Sequence, residues 1–178
     1  MRARGNVNSL SSYCRTMLAV LAALALAGCG GSRSSGSAGA STSLECAPFA
    51  RQVSGIQLYG DAYSWWDQAA GRYDRSSEPV PGGVLVFRRT GRLGSGHVSV
   101  VNRQVSGREI TVTQANWVHR RITRDEPVVD VSAGNDWSAV KVWWAPSRSL
   151  GSTVYPTYGF IAPGVRRGSD LVAGLIDP

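Results

Sequence analysis

Cysteine, histidine and lysine are all scarce in this sequence, and their scarcity argues against several classes of function. The 178 residues include 3 Cys and 2 His, and Lys141 is the single lysine among 19 basic residues. Zinc sites need several Cys and His side chains at short spacing, but no second cysteine of the predicted mature chain lies near His97 or His119. We therefore expect no metal and no other cofactor.

Long apolar runs and runs of basic residues are also absent. The apolar run at residues 17–27 is too short to cross a bilayer as a helix. No basic run, zinc-finger spacing or helix-turn-helix signature occurs, so nucleic acid is not an expected partner. The net charge is +7, and removing the three arginines of the predicted leader (residues 1–28) leaves +4. This mild positive charge favours an anionic surface such as a cell-wall polymer.

The first 28 residues have the pattern of a lipoprotein signal peptide. A polar, arginine-containing start precedes the apolar run at residues 17–27, which ends in Leu26-Ala27-Gly28-Cys29. These four residues resemble the lipobox of bacterial lipoproteins, which implies that Cys29 carries the lipid after cleavage. An ordinary secretory signal or a buried helix are the alternatives.

Residues 29–43 are predicted to be a lipid anchor followed by a flexible tether. They consist almost wholly of Gly, Ser and Ala, which cannot bury apolar surface. We therefore expect a membrane-anchored protein of the cell envelope that faces the periplasm or the cell wall. In a Gram-negative host, Gly30 favours the outer membrane.

Cys46 is the only cysteine expected to remain a free thiol. Cys14 leaves with the leader and Cys29 is expected to be lipidated, so no internal disulfide is possible. A lone thiol in an oxidising compartment is a liability unless it has a function, although a small buried hydrophobe is the alternative. Cys46 also begins a predicted short helix that ends at Gly55. A helix N-terminus lowers a thiol pKa and can hold an oxyanion.

Beyond this helix, the pattern predicts an α+β fold with helices first and an antiparallel sheet after them. A second helix is expected after Asp61, which is a suitable cap. Short apolar segments then predict strands, listed here by residue number: 84–87, 97–101, 109–113, 128–131 and 139–144. We predict a catalytic domain at residues 44–145 and an irregular, Gly- and Pro-rich C-terminal extension at residues 146–178.

Two further residues complete a candidate catalytic set with Cys46. His97 begins a predicted strand, and Asn116 ends the next one, so neighbouring antiparallel strands can place them side by side. A thiol nucleophile needs an imidazole base and a group that fixes the tautomer of that base. His119 is expected to be a surface residue beside two arginines.

Several motifs occur in the order that is typical of CHAP domains, the cysteine, histidine-dependent amidohydrolases/peptidases. They are Cys46-Ala47-Pro48-Phe49, Tyr59-Gly60-Asp61-Ala62, Pro81-Gly82-Gly83-Val84-Leu85-Val86-Phe87, Gly96-His97-Val98-Ser99 and Asn116-Trp117. The resemblance implies a papain-like cysteine peptidase fold with N-terminal helices packed on an antiparallel β-sheet. It also implies that Cys46 is the nucleophile, His97 the base and Asn116 the orienter.

The resemblance implies that the substrate is peptidoglycan and that the bond cleaved is an amide or peptide bond. Amidase and endopeptidase activities both occur on this fold, and the sequence does not choose between them. An amidase of small peptide or polyamine conjugates is a second enzymatic alternative, which the predicted export disfavours. A non-catalytic, peptidoglycan-binding envelope lipoprotein is the alternative of a different class. Whether a protein activator is needed stays open.

Overall fold

The computed structural model describes residues 43–164. The predicted signal peptide, the lipidation residue Cys29 and nearly all of the tether lie outside the described residues. Helix α1 spans Cys46–Ser54, and a 3₁₀ turn at Ala62–Ser64 leads into the short helix α2 at Trp65–Ala69. No helix in the described part of the chain is long and apolar enough to cross a membrane.

Eight strands follow the first helix, and every strand pair is antiparallel. Their bounds are β1 Arg75–Ser76, β2 Val84–Phe87, β3 His97–Ser106, β4 Glu109–Ala115, β5 Ile122–Asp130, β6 Ala139–Trp144, β7 Ser149–Leu150 and β8 Tyr155–Ile161. The sheet order is β1-β8-β2-β3-β4-β5-β6-β7, and β8 also pairs with β6. The six strands β2, β3, β4, β5, β6 and β8 therefore close into a barrel.

Alternation along β2 separates two apolar clusters. Val84 and Val86 belong to the cluster beneath the two helices, whereas Leu85 and Phe87 belong to the cluster inside the barrel. Side chains of a strand alternate between the two faces of a sheet, so one four-residue strand serves both clusters. All four side chains are consequently buried. Helix α1 lies over β3 and β4, and this contact carries Cys46 to the start of β3.

The structure differs from the sequence-based expectations about the fold in two respects. The antiparallel sheet closes into a barrel, which the sequence did not predict, and the two helices of the described residues are short. Strand β8 also lies within the segment that we predicted to be an irregular extension. It pairs with β2 through Leu85↔Phe160 and with β6, so the folded unit continues at least to Ile161. Its Gly and Pro residues hid the strand, because both are poor strand formers.

Candidate active site

Cys46 is the first residue of α1, as the sequence predicted. The helix ends at Gly55, which has a φ of 75° and donates its backbone N–H to the carbonyl of Arg51. Ala47 and Ala50 are buried in the helical cluster, and the half-buried Cys46 packs against the same cluster. The burial of this helical face sets the position of the thiol at the edge of β3.

The thiol of Cys46 is not activated by its surroundings in the way that the sequence suggested. Burial raises the pKa of the thiol above its ordinary value, and the charge of Glu45 adds to this effect. The backbone amides of Val98 and Ala47 oppose it by favouring the thiolate. The helix N-terminus therefore does act on the thiol, but burial has the larger effect, and the neutral thiol is favoured at rest.

Gly96 fixes the position from which His97 enters β3. It has a φ of 69°, and a Cβ added there would lie 2.7 Å from the backbone nitrogen of Tyr63 and 2.9 Å from the carbonyl oxygen of Phe87. The neighbouring Ser95 accepts a hydrogen bond from the Tyr63 backbone N–H at 3.1 Å. Only glycine combines this conformation with this close approach. The turn therefore seats the histidine directly against the preceding elements.

The His97 ring is buried, with 4% of its surface exposed. Its centroid lies 5.5 Å from that of Phe87 and 5.0 Å from that of Trp117. Burial lowers the pKa of His97 from 6.5 to about 4, although a hydrogen bond with Gln114 acts in the opposite direction. The imidazole is therefore neutral at physiological pH and has the protonation state of a general base.

Gln114, rather than Asn116, contacts the ring. Its Oε1 lies 3.0 Å from Nε2 of His97 and also accepts a hydrogen bond from Ser99 Oγ at 2.6 Å. Its Nε2 donates to Glu126 Oε2 at 3.0 Å. The sequence reasoning missed Gln114, Ser99 and Glu126. Gln114 continues the alternation of Ile110 and Val112, and a polar residue on that apolar face was the signal that could have revealed it.

The structure places Asn116 beside the helix that carries Cys46. Asn116 Nδ2 donates to Glu45 Oε2 at 3.0 Å, and its Oδ1 accepts from the backbone N–H of Arg120 at 2.8 Å. The residue has a φ of 62°, a conformation that asparagine tolerates better than most residues. Asn116 thus joins the end of β4 to the N-cap of α1, and its amide does not hydrogen-bond to His97.

The side chains predicted to be catalytic lie around one end of β3, but they are not directly bonded. The thiol of Cys46 lies at the backbone amide of Val98, the residue that follows His97. Within residues 43–164, no hydrogen bond joins the thiol to the imidazole. Catalytic hydrogen bonds are often long in the absence of substrate. His119 is exposed, as expected of a surface residue.

Two cavities with shared lining residues have volumes of about 300 and 270 Å³, and the first of them reaches His97. The first is lined by His97 and Asn116, and both share Arg92, Trp117, Trp144 and Tyr155. The indole Nε1 of Trp117 is buried and has no hydrogen-bond partner in the described part of the chain. The two cavities therefore form a groove that is rich in aromatic side chains and reaches the imidazole of His97. We call it the aromatic groove and define it by the four residues that line both cavities: Arg92, Trp117, Trp144 and Tyr155.

The described residues also do not meet the needs of a metal site. Within the described residues 43–164, no group of three or more His, Cys, Asp or Glu side chains could hold a metal ion. The polar groups that line the first cavity include the imidazole of His97, the amide of Asn116 and the guanidinium of Arg92.

A half-buried thiol at a helix N-terminus and a buried neutral imidazole at the start of the adjoining strand are groups that thiol-dependent hydrolysis uses. Residues 35–116 match the family described as CHAP domain. This match supports a papain-like CHAP domain in that part of the chain, and with it a hydrolase whose activity relates to peptidoglycan. It includes Cys46, His97 and Gln114, and it ends at Asn116. No curated protein matches the chain.

Proposed function

We propose that this protein hydrolyses amide or peptide bonds of peptidoglycan with Cys46 as nucleophile and His97 as base. The observation that carries the proposal is the junction of α1 and β3, which brings the thiol to the backbone of the residue after the buried imidazole. The match of residues 35–116 to the CHAP domain family supports the choice of peptidoglycan as substrate. A junction of this kind has no evident value to a protein that only binds.

The directions of the two pKa shifts indicate how the reaction starts. The thiol and the imidazole are both favoured in their neutral forms. His97 would therefore remove the thiol proton as Cys46 attacks the amide carbonyl, rather than hold a preformed thiolate. The imidazolium then protonates the leaving amine, and a thioester remains. Water, deprotonated by His97, hydrolyses the thioester and restores both neutral groups.

The start of α1 supplies a candidate oxyanion donor. The backbone N–H of Cys46 is at the N-terminus of the helix, where backbone N–H groups lack helical partners. The N–H of Glu45 instead donates to Ser43 Oγ at 3.2 Å. We propose that the Cys46 N–H stabilises the negative oxygen of the tetrahedral intermediate.

The aromatic groove is the proposed substrate site. Trp144 is 40% exposed, so its ring can cover an apolar face of a substrate. Arg92 supplies a positive charge that suits a carboxylate or another anionic group of the wall polymer.

Digestion of purified peptidoglycan tests this function directly. The full chain carrying Cys14→Ser and Cys29→Ser keeps Cys46 as its one thiol and cannot be lipidated. This protein should release fragments that mass spectrometry detects, and adding Cys46→Ala should abolish their release. Free lactyl groups on muramic acid would identify an amidase, and shortened stem peptides would identify an endopeptidase.

The alternative of a non-catalytic, peptidoglycan-binding envelope lipoprotein gives a different result in the same experiment. Neither protein would then release fragments, yet both would sediment with the insoluble wall material. The raised pKa of the Cys46 thiol is the one feature that favours this alternative, because a neutral thiol is a weaker nucleophile. Fragment release by the Cys46→Ala chain would contradict the thiol mechanism.

We also propose that a lipid on Cys29 holds the domain at the cell envelope. The motif Leu26-Ala27-Gly28-Cys29 at the end of the apolar run supports this proposal. The native chain should incorporate a labelled fatty acid and fractionate with membranes, and Cys29→Ala should remove both properties. Cys14→Ala is the matched control, and it should leave the label in place.

A further inference from the structure

A buried carboxylate lies behind Gln114, one step away from the proposed base. Glu126 is 6% exposed, and its Oε2 accepts hydrogen bonds from Gln114 Nε2 at 3.0 Å and from Thr123 Oγ1 at 2.6 Å. No cation bonds to Glu126 among the described residues. A buried acidic group needs a compensating role or partner, because its desolvation is costly.

A β-bulge brings Glu126 to this place. Glu126 is paired with Val112, but Gln114 is paired with Thr123, so β5 contains one additional residue between the two pairs. Asp125 sits within it with a φ of 53°, and Asn102 Nδ2 donates to its Oδ1 at 2.7 Å. Thr123 and Glu126 are three residues apart and would face opposite sides of a regular strand. The bulge instead lets Thr123 Oγ1 and Gln114 Nε2 both donate to the Glu126 carboxylate.

The contacts of Glu126 determine which way the Gln114 amide points. A carboxylate can only accept hydrogen bonds, so the NH₂ group of Gln114 must face Glu126. The amide oxygen must then face Ser99 and the ring of His97. An oxygen can only accept, so Nε2 of His97 must carry the proton. Nδ1 is thereby left without a proton and is the ring nitrogen that can act as base.

We propose that Glu126 is a positioning residue that sets the tautomer of His97 through Gln114 and stabilises the imidazolium formed during the reaction. This inference rests on the proposed thiol chemistry. It assigns a role to a carboxylate that does not touch the ring. Gln114 transmits the orientation, and the negative charge of Glu126 acts across one intervening amide.

Other ionisable groups also surround the ring and must stay constant in a test. The Cys46 thiol approaches from α1, and Arg92 and Tyr155 share the cavity with His97 from the loop before β3 and from β8. Glu45 reaches the same end of the barrel through its bond to Asn116. Substitutions confined to positions 114 and 126 leave all four groups unchanged.

Transposing the charge gives the sharpest experiment. Gln114→Glu combined with Glu126→Gln moves the carboxylate next to the ring and keeps an amide behind it. In the full chain with Cys14→Ser, Cys29→Ser and His119→Gln, His97 is the one histidine and can be titrated by NMR of its ring protons. The transposition should raise the pKa of His97 by roughly one to three units, and Glu126→Gln alone should lower it.

Kinetics on peptidoglycan separate positioning from a purely structural role. Glu126→Leu removes the acceptor and should lower kcat on the order of tenfold or more with little change in KM. The transposed pair should recover most of that loss. Glu78→Gln removes a charge from an exposed residue and should leave the His97 pKa and kcat unchanged.

The titration does not require hydrolysis, so it tests the inference even if the proposed function fails. The pH dependence of Cys46 alkylation by iodoacetamide provides a second readout that needs no substrate, and its profile should shift with the His97 pKa. Folded Glu126→Gln and transposed proteins with the His97 pKa of the parent would overturn the inference. If Glu126→Leu does not fold, these two variants still decide the question.

Discussion

The interior of the barrel has an apolar part and a polar end, and the same strands build both. Strand β4 contributes Ile110 and Val112 to the apolar part and Gln114 to the polar end. Strand β5 contributes Val128 to the first and Glu126 to the second. The apolar part gains stability from burial alone, whereas each buried polar group must find a partner. Alternation along a strand therefore decides which side chains point into the barrel. The residue type then decides whether those side chains pack in the apolar part or form hydrogen bonds at the polar end.

The largest effect is expected from making the polar end apolar. Gln114→Leu with Glu126→Leu removes both partners of the buried hydrogen bond, and it leaves Ser99 Oγ and Thr123 Oγ1 without their acceptors. Activity on peptidoglycan should fall on the order of a hundredfold, because the His97 ring loses its orienter. The free energy of unfolding in urea should fall by about 1–3 kcal/mol, because these donors lose their acceptors. Full activity per folded molecule, together with a large loss of stability, would show that the polar end serves stability rather than catalysis.

Truncation of a side chain in the apolar part should lower stability strongly and leave kcat unchanged. Phe160 is fully buried and packs edge-on against Trp137 with ring centroids 5.5 Å apart. Phe160→Ala should cost about 3–5 kcal/mol of unfolding free energy because it leaves a cavity. The folded fraction should keep its kcat, since the ring of Phe160 packs against Trp137 in the apolar cluster. Loss of kcat in fully folded protein would show that the two parts are coupled.

Acid should destabilise the protein through the polar end. The pKa of His97 is about 4 in the folded protein and about 6.5 when unfolded, so between these values only the unfolded state binds the proton. Stability is therefore complete above pH 6.5 and falls by about 3 kcal/mol as the pH drops to 4. Urea unfolding across this range measures it.

The exposed histidine provides the control for this prediction. His119→Gln should keep the acid dependence, whereas His97→Gln should remove the part that occurs between pH 6.5 and 4. An unchanged slope in His97→Gln would assign the acid sensitivity to other groups.

The turn before His97 should be more sensitive to an added methyl group than its neighbour. Gly96→Ala should cost about 1–3 kcal/mol, because its Cβ would collide with the backbone of Tyr63 and Phe87. Gly94→Ala meets no atom within 4 Å and should change stability by less than about 0.5 kcal/mol. Thermal unfolding of the two variants measures the difference. Equal losses of stability in the two variants would show that the close packing of Gly96 against Tyr63 and Phe87 does not constrain the turn.

Asn116 should give the smallest effect. Asn116→Gly keeps the left-handed backbone and removes the side-chain bonds to Glu45 and Arg120, at a cost of about 1 kcal/mol. Activity should fall far less than in the Gln114 and Glu126 double variant. An equal or larger loss of activity would restore Asn116 as the orienter that the sequence suggested.

Several features of this protein could be predicted from the sequence by itself. Local periodicity and turn residues predicted that helix α1 begins at Cys46 and that β2, β3, β4 and β6 form antiparallel strands. These features depend on neighbours within a few residues, so a linear pattern contains the necessary information. The catalytic roles of Cys46 and His97 stay predictions.

Only the tertiary structure decided the closure of the barrel and the partner of His97. Closure depends on β8 pairing with both β2 and β6, contacts between segments that are distant along the chain. Gln114 lies within β4 and bonds to His97, whereas Asn116 follows the last residue of β4 and bonds to Glu45. The bulge at Asp125 brings Glu126 to the other side of the Gln114 amide. A shift of one residue in a strand exchanges its faces, and long-range hydrogen bonding sets that register. Burial raises the pKa of the Cys46 thiol, whereas its place at a helix N-terminus alone predicts a lowered pKa.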